Sequence, residues 1–394
     1  LSRKRILVIV ENLPLPEDRK VWREIKALKE AGFHVSAISP ASSPFSWWNI
    51  AEGVKIYHYP RLLYTKSKFS YLFEYINAFF WTFLLFLMVI SREGIDILQV
   101  CNPPEMFFPL GWIIRMKRGY FVFDHHDLSP EMYEARFGRR DFFYWILRVL
   151  EFLTVKSANK VIEPNKYYRK LLEKRTFSLP DKFVVVPTAP DLAKLYPDRK
   201  DVSLKKGRKY MIGYLGVMNP QDGVHQLIEA VDILVKKRAF TDFILYLIGD
   251  GDAREELESM VEMRGLKDFV HFTGWVSSYK TLRKHLSACD ICVDSMPANN
   301  YSNLSTLNKI LEYMAMGKPV VCFDLKMSRE LLASAGIFAR PDNPADLADK
   351  IEELLKNAKK REIMGKQGRE RIEKEFDWEK IKYIYLGVFK PYSL

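Results

Sequence analysis

The chain has 394 residues, 48% of them hydrophobic, with 61 Lys+Arg against 49 Asp+Glu. That apolar content excludes a disordered chain, and 19 glycines without a repeat exclude a collagen-like one. Four cysteines in this length make no disulfide scaffold and fit a reducing compartment, while the length suits two domains.

Strands and helices alternate from the start. Residues 6–10 are an unbroken aliphatic run, as in a strand buried on both faces of a parallel sheet. After a Pro-containing loop, Val21, Trp22, Ile25 and Leu28 predict a helix that stops at Gly32, and residues 35–38 predict the next strand. This βαβ unit is followed by strands at 95–100, 121–123, 161–162 and 184–186, with helices at 106–117 and 142–156. A second series begins after Pro187. Its strands are read at 211–215, 243–248, 270–272, 291–293 and 320–323; its helices at 223–237, 254–264, 279–286 and 307–316. The polar stretch 194–208 reads as a linker, and the aromatic helix 378–385 as packing back on the first domain. The fold class is therefore α/β, with two doubly wound domains.

Positive charge is concentrated in the first half. Residues 1–190 carry 28 Lys+Arg against 19 Asp+Glu, and residues 191–394 carry 33 against 30. Such an excess suits an anionic partner: a phospholipid surface, a phosphorylated substrate or nucleic acid. Nucleic acid is disfavoured, because no RNP-type aromatic motif, zinc finger or basic stripe is present. Ser2-Arg3-Lys4-Arg5 precedes the first apolar run, but Glu11 and Asn12 interrupt it, so no secretory signal is expected. The segment 71–90 holds a 13-residue apolar core, shorter than the roughly 20 residues a bilayer requires. With Arg61, Lys66 and Lys68 upstream, it reads either as a buried helix on the sheet or as a membrane-surface helix.

Paired α/β domains leave a cleft at the carboxyl ends of their strands, so the residues after each strand are the chemical candidates. Gly216 follows the strand 211–215 at a turn into a helix, without GxGxxG spacing or a Walker lysine. Asp250 and Asp252 read either as a divalent-metal pair or, more simply, as a turn in which Asp252 caps the helix from Arg254. After residues 291–293, Ser305 and Thr306 are cap candidates for a helix with Lys309 in its first turn, an arrangement suited to a diphosphate. Glu312, one turn beyond Asn308, suits ribose hydroxyls. Asp124-His125-His126-Asp127 follows another strand; with no further metal ligands near in sequence, hydrogen bonding to a substrate is the better role. Cys289 and Cys292 form a lone CxxC that reads as core.

These stretches together resemble the retaining, family-4 glycosyltransferases of the GT-B fold. The likeness runs through Asp18-Arg19, Asn102-Pro103-Pro104-Glu105, Asp124-His125-His126-Asp127, Pro187-Thr188-Ala189-Pro190-Asp191, Gly249-Asp250-Gly251 and Gly274-Trp275. Its most specific part is Glu312-Tyr313-Met314-Ala315-Met316-Gly317-Lys318-Pro319. The resemblance implies two Rossmann-like domains: an acceptor domain over 1–190, with 376–394 packing back on it, and a nucleotide-sugar domain over 191–375. It implies a nucleotide-diphospho-sugar donor, retention of the anomeric configuration, no cofactor and no metal.

Carried over by position, Glu312 is the second acid of the Glu-x7-Glu motif and His126 the histidine near the donor sugar, with Asp127 and Lys309 completing the catalytic set. The donor set is Gly216, Trp275, Val276, Asn303, Ser305, Thr306, Asn308, Lys309 and Glu312. The first-domain loops contribute Asp18, Arg19, Glu105 and His125. Leu304 stands where the first acid belongs, and Val217 and Asp222 stand where the family's diphosphate-binding Arg and Lys belong. Lys309, the N–H groups of Asn308 and Lys309, and Arg19 are expected to compensate. The implied acceptor is lipid-linked or a glycan, reached at the inner face of the cell membrane through the basic first domain and segment 71–90. The alternatives are a sugar-nucleotide epimerase of the same fold and a basic nucleic-acid-binding protein.

Overall fold

A computed structural model describes residues 4–42, 45–60 and 68–390. The chain divides into two compact units, residues 1–187 with 379–394, and residues 188–378.

The first unit opens with β1 (Arg5–Ile9), α1 (Arg19–Glu30), β2 (His34–Pro40), β3 (Trp48–Ala51) and β4 (Val54–Tyr59). It continues with α2 (Lys68–Arg92), β5 (Ile97–Cys101), α3 (Phe108–Met116) and β6 (Tyr120–Asp124). Then come α4 (Ser129–Phe137), α5 (Phe142–Ser157), β7 (Lys160–Glu163), α6 (Lys166–Thr176) and β8 (Phe183–Val185). The strands form one sheet in the order β3-β4-β2-β1-β5-β6-β7-β8, parallel except for β3 against β4. β1, β5 and β6 are buried almost throughout, as strands covered on both faces of a parallel sheet are. Right-handed crossovers put α2, α3 and α5 on one face of the sheet and α1 on the other.

The C-terminal helix (Trp378–Gly387) is tied to this unit: its Tyr385 hydroxyl donates to Gln99 Oε1 at 2.7 Å. Phe389, just beyond it, meets Phe33 edge-on.

The second unit holds β9 (Tyr210–Leu215), α7 (Val224–Asp232), β10 (Phe243–Ile248), α8 (Arg254–Met263), β11 (Val270–Gly274) and α9 (Tyr279–Ala288). It ends with β12 (Ile291–Asp294), α10 (Asn308–Ala315), β13 (Val320–Phe323), α11 (Lys326–Leu332), β14 (Gly336–Ala339), α12 (Pro344–Lys356) and α13 (Ala358–Glu375). Its six strands are all parallel, in the order β11-β10-β9-β12-β13-β14. Strand order reverses between β1 and β5 in one unit and between β9 and β12 in the other. In such sheets the carboxyl ends beside the reversal are where ligands bind.

Several expectations need correction. Residues 194–208 are no free linker: they lie inside the second unit, with Leu195 buried and Lys205 paired to Asp290 at 2.7 Å. The helix expected over 223–237 is α-helical only to Asp232 and closes as a π turn over Ile233–Lys237. The 13-residue apolar core is part of a 25-residue helix, α2, whose stretch Phe73–Arg92 is long and apolar enough by length and composition to cross a membrane. Within the unit α2 packs on β2 and β4, with Ala78, Thr82, Leu85, Phe86 and Val89 turned inward. Arg61 and Lys66 lie outside the described residues, as do Ser2 and Arg3.

Candidate active site

In the second unit the loop after β9 meets the start of α10. Gly216 has φ 145° and Gly249 has φ 138°, conformations that side-chain-bearing residues rarely adopt. A Cβ on Gly249 would lie 2.0 Å from the Gly216 carbonyl oxygen, and one on Gly216 would lie 3.1 Å from Lys309 Cε. Gly216 therefore leaves room for the Lys309 side chain, and Gly249 for the backbone of Gly216. Its Nζ sits 3.2 Å from Asp294 Oδ1 at the end of β12 and donates to the Tyr214 hydroxyl at 3.0 Å. The same hydroxyl donates to the Val217 carbonyl at 2.9 Å, so both of its hydrogen-bonding roles are used. Burial opposes a charge on Lys309, but Tyr214 and Asp294 outweigh it and hold the ammonium well above the ordinary lysine range. Tyr313, on α10, accepts from Leu215 N–H at 2.7 Å and donates to the Val293 carbonyl at 3.2 Å, fixing the helix to both strand ends. The result is a permanent cation, its side chain 10% exposed, at the mouth of the β9/β12 reversal.

Not every predicted donor residue sits as expected. The N-cap of α10 is Leu307, without a side-chain bond, rather than Ser305 or Thr306. Ser305 turns back instead, donating to the Tyr301 carbonyl at 2.7 Å. Asn303 braces the loop: its Nδ2 donates to the Asn299 carbonyl, and its Oδ1 accepts from Lys326 N–H. Asn308 is exposed at the first helical position, Glu312 is half-buried one turn later, and Trp275 and Val276 follow β11 with Trp275 62% exposed. Asp222 serves in a capping box with Asn219, which closes the turn after Gly216. Asp250 is committed to Arg254 at 2.9 Å, and α8 is capped at Ala253 rather than Asp252. Cys289 and Cys292 are buried, as core.

In the first unit the adjacent registers of β5 and β6 set Cys101 beside Asp124. Gln99, a lone polar residue in an apolar strand, donates through Nε2 to Glu24 Oε2 at 3.2 Å and to Asp124 Oδ2 at 3.1 Å. Lys20 Nζ lies 3.2 Å from Asp124 and 3.6 Å from Glu24, and His126 Nε2 lies 3.0 Å from Asp124 Oδ2. Although burial works against it, the His126 and Lys20 charges hold the Asp124 carboxyl well below its usual range. Burial and the Asp124 charge push Glu24 well above its own. Two buried carboxyl groups, pushed in opposite directions, thus share a buried lysine. The ligand atoms of Cys101, Asp124 and His126 all lie within 4.8 Å of one another, but Lys20 and Gln99 already supply donors to the carboxylate among them.

Asn102 clamps the next loop. Its Oδ1 accepts from the backbone N–H groups of His126 and Asp127, and its Nδ2 donates to Glu105 Oε1 and the Asp127 carbonyl, both at 2.7 Å. Glu105 is buried behind this clamp, so it positions the loop rather than meeting a ligand. Asp18 caps α1, accepting from Lys20 and Val21 N–H, which directs Lys20 toward Asp124; Arg19 is the first residue of that helix. His125 is a second correction. It is fully buried, with Nδ1 2.9 Å from Glu163 Oε2, and cannot contact an acceptor. Burial disfavours its charge, but Glu163 prevails and holds its pKa at about 9, above the ordinary 6.5. A raised histidine stabilises the fold fully below pH 6.5, and that contribution is lost as pH climbs toward 9, about 3 kcal/mol at most. The melting temperature of His125→Gln should therefore fall less steeply than that of the parent between those pH values; parallel curves would exclude the pair as the cause.

Sequence reasoning passed over Lys20, Glu24, Gln99 and Tyr214. The available signals were the i,i+4 Lys20–Glu24 spacing and the single polar residue inside Ile97-Leu98-Gln99-Val100-Cys101.

The two α/β units have the GT-B fold, shared with solved glycosyltransferases. Residues 209–357, within the second unit, match the family described as glycosyl transferases group 1. Over nearly its full length the chain is similar to an uncharacterised glycosyltransferase of Methanocaldococcus jannaschii, 25% identical over 376 residues, 94% of this chain and 92% of that protein. Among solved structures it resembles sucrose-phosphate synthase from Thermosynechococcus elongatus, with a TM-score of 0.82 and 20% identity over 99% of both chains. It also resembles HepE of Anabaena in complex with UDP-glucose, with a TM-score of 0.75 and 18% identity over 98% of this chain and 99% of that one.

Proposed function

We propose that this protein is a retaining glycosyltransferase that moves a sugar from a nucleotide-diphospho-sugar to a hydroxyl of a lipid-linked or glycan acceptor, without a metal, in building cell-surface polysaccharide or glycolipid. The observation that carries this reading is Lys309, a cation buried at the β9/β12 reversal of the second unit and kept charged by Asp294 and Tyr214. It meets the need that Val217 and Asp222 leave unmet, a positive charge for the diphosphate.

In the reaction the bond between the anomeric carbon and the diphosphate oxygen breaks. The charge that develops on the diphosphate is taken up by Lys309 and the N–H groups that begin α10. A new bond to the acceptor oxygen forms on the same face of the sugar, and the departing phosphate oxygen receives the acceptor's proton. Glu312 accepts from ribose hydroxyls. His126, held by Asp124 and by the Asn102 clamp, serves the donor sugar's hydroxyls, with Asp127 beside it. The protein works at the inner face of the membrane, in the cytoplasm. The similarity to a protein solved with UDP-glucose makes a UDP-sugar the first donor to try.

The test is a transfer assay with acceptor present and absent. Nucleoside diphosphate released only with acceptor, and a product with the donor's anomeric configuration by NMR, are the expected results. Conversion of the nucleotide-sugar without acceptor would indicate an epimerase instead.

A further inference from the structure

α5 is packed on one side only. Tyr144, Glu151, Thr154, Val155 and Ser157 face inward and are buried. Phe142, Trp145, Val149 and Phe152, spaced three, four and three residues apart, form a single outward stripe between 37% and 73% exposed. Isolated exposed apolar residues are ordinary, whereas a contiguous stripe of large ones marks a contact surface. The stripe continues onto α3, which packs against α5 and exposes Trp112 and Met116, and past the end of α6 to Phe177 and Leu179, 86% and 74% exposed. Trp145, Val149 and Phe152 also wall a depression of about 230 Å3, with Arg148 and Arg175 among its lining.

The C-terminal end of α5 gathers cations. Arg115 donates to the Ser157 carbonyl at 2.9 Å, Lys156 to the Phe177 carbonyl at 3.1 Å, and Lys182 to the Lys156 carbonyl at 3.1 Å. These bonds all end on backbone oxygen. The cluster repels itself: burial, then Lys156, then Arg115 push the Lys182 pKa down to about 8. An anion from outside would relieve that repulsion. Aromatic residues bordered by Lys and Arg are the composition of a surface that sits at the level of lipid headgroups. α2 lies on the same face of the sheet and bears its own exposed stripe, including Phe73, Ile76, Phe80, Leu84 and Leu87. Two helices of one layer thus present apolar side chains outward.

We propose that the outer face of α5 is a membrane-docking surface, in which Trp145 and Val149 enter the headgroup region of an anionic phospholipid bilayer while Arg115, Lys156 and Lys182 hold lipid phosphates. The occupant follows from charge complementarity, and the inference does not rest on the transferase reading, because vesicle binding needs no donor. It adds a contact beyond segment 71–90.

The experiment is flotation of the full chain with vesicles of phosphatidylcholine alone or with about one third phosphatidylglycerol. Three pairs of surface changes are compared: Trp145→Ser/Val149→Ser, Lys156→Glu/Lys182→Glu, and Phe80→Ser/Leu84→Ser on α2. Circular dichroism and melting temperature verify that each variant is folded. The parent should float with the anionic vesicles and much less with the neutral ones. Each α5 pair should lower that partition by about tenfold or more, and salt should weaken what remains. The proposal is overturned if the α5 variants float like the parent while only the α2 pair is lost. It is equally overturned if the parent ignores lipid charge, or if the α5 changes alter self-association without altering flotation.

Discussion

Lys309→Ala should lower turnover by about 10²–10³-fold, the usual scale for removing one preorganised group that stabilises a developing anion. It should also lower stability, because Asp294, 1% exposed, loses the cation 3.2 Å away. Breaking a buried pair from one side costs about 3–5 kcal/mol, or roughly 6–20 °C in melting temperature for a unit of this size. The two effects separate in the double variant Lys309→Ala/Asp294→Asn, which removes the stranded charge. Much of the melting temperature should return, and turnover should not. Turnover within about threefold of the parent in the single variant would show that the diphosphate is held elsewhere.

Lys20→Met should be the most destabilising change in the first unit. Lys20 lies between Asp124, 0% exposed, and Glu24, 1% exposed, and nothing else described there carries a full permanent positive charge against them. The expected cost is again about 3–5 kcal/mol. The sign of its pH dependence follows from linkage. Removing the cation raises the native proton affinity of both carboxyls, so the deficit grows as pH rises above about 4 and shrinks on acidification toward it. Melting temperatures of parent and variant should therefore differ more at pH 8 than at pH 5, and Lys20→Met/Glu24→Gln should recover part of the loss. A variant as stable as the parent at pH 8, or a gap that widens on acidification, would contradict this charge assignment.

The strands and helices that position the site were legible because they are simple patterns. Residues 6–10, 243–248 and 320–323 are short apolar runs between turns, and each appears as a buried parallel strand. The β3–β4 hairpin was missed. Its two-residue turn is Glu52-Gly53, both at positive φ, where an Asn-Gly pair would have announced it, and the outer strand exposes Trp48 and Ile50. α13 was missed because only Met364, Gly365, Gly368 and Ile372 of its 18 residues are buried, too few to print a clear period.

At the candidate site, local spacing exposed Lys309 and His126 but not what holds them. Asp294 lies 15 positions from Lys309, Tyr214 lies 95 from it, and Gln99 joins Tyr385 across 286 positions. Such partners are chosen by parallel register and strand order, which local pattern does not reveal. Cap preference misled in the opposite way: Ser305 and Asp252 are good capping residues, yet the turns before α10 and α8 put the N-caps at Leu307 and Ala253.

The proposed function requires the second unit to hold a nucleoside diphosphate through fixed protein charge rather than through a metal. Thermal-shift titration of the full chain with UDP, GDP, ADP and CMP, with and without EDTA, tests it most directly. One diphosphate at about a hundredfold excess over its Kd should add about 2.7 kcal/mol, a rise of roughly 5–10 °C, and EDTA should leave it unchanged. Silence from all four nucleotides, or a rise that EDTA abolishes, would contradict the account.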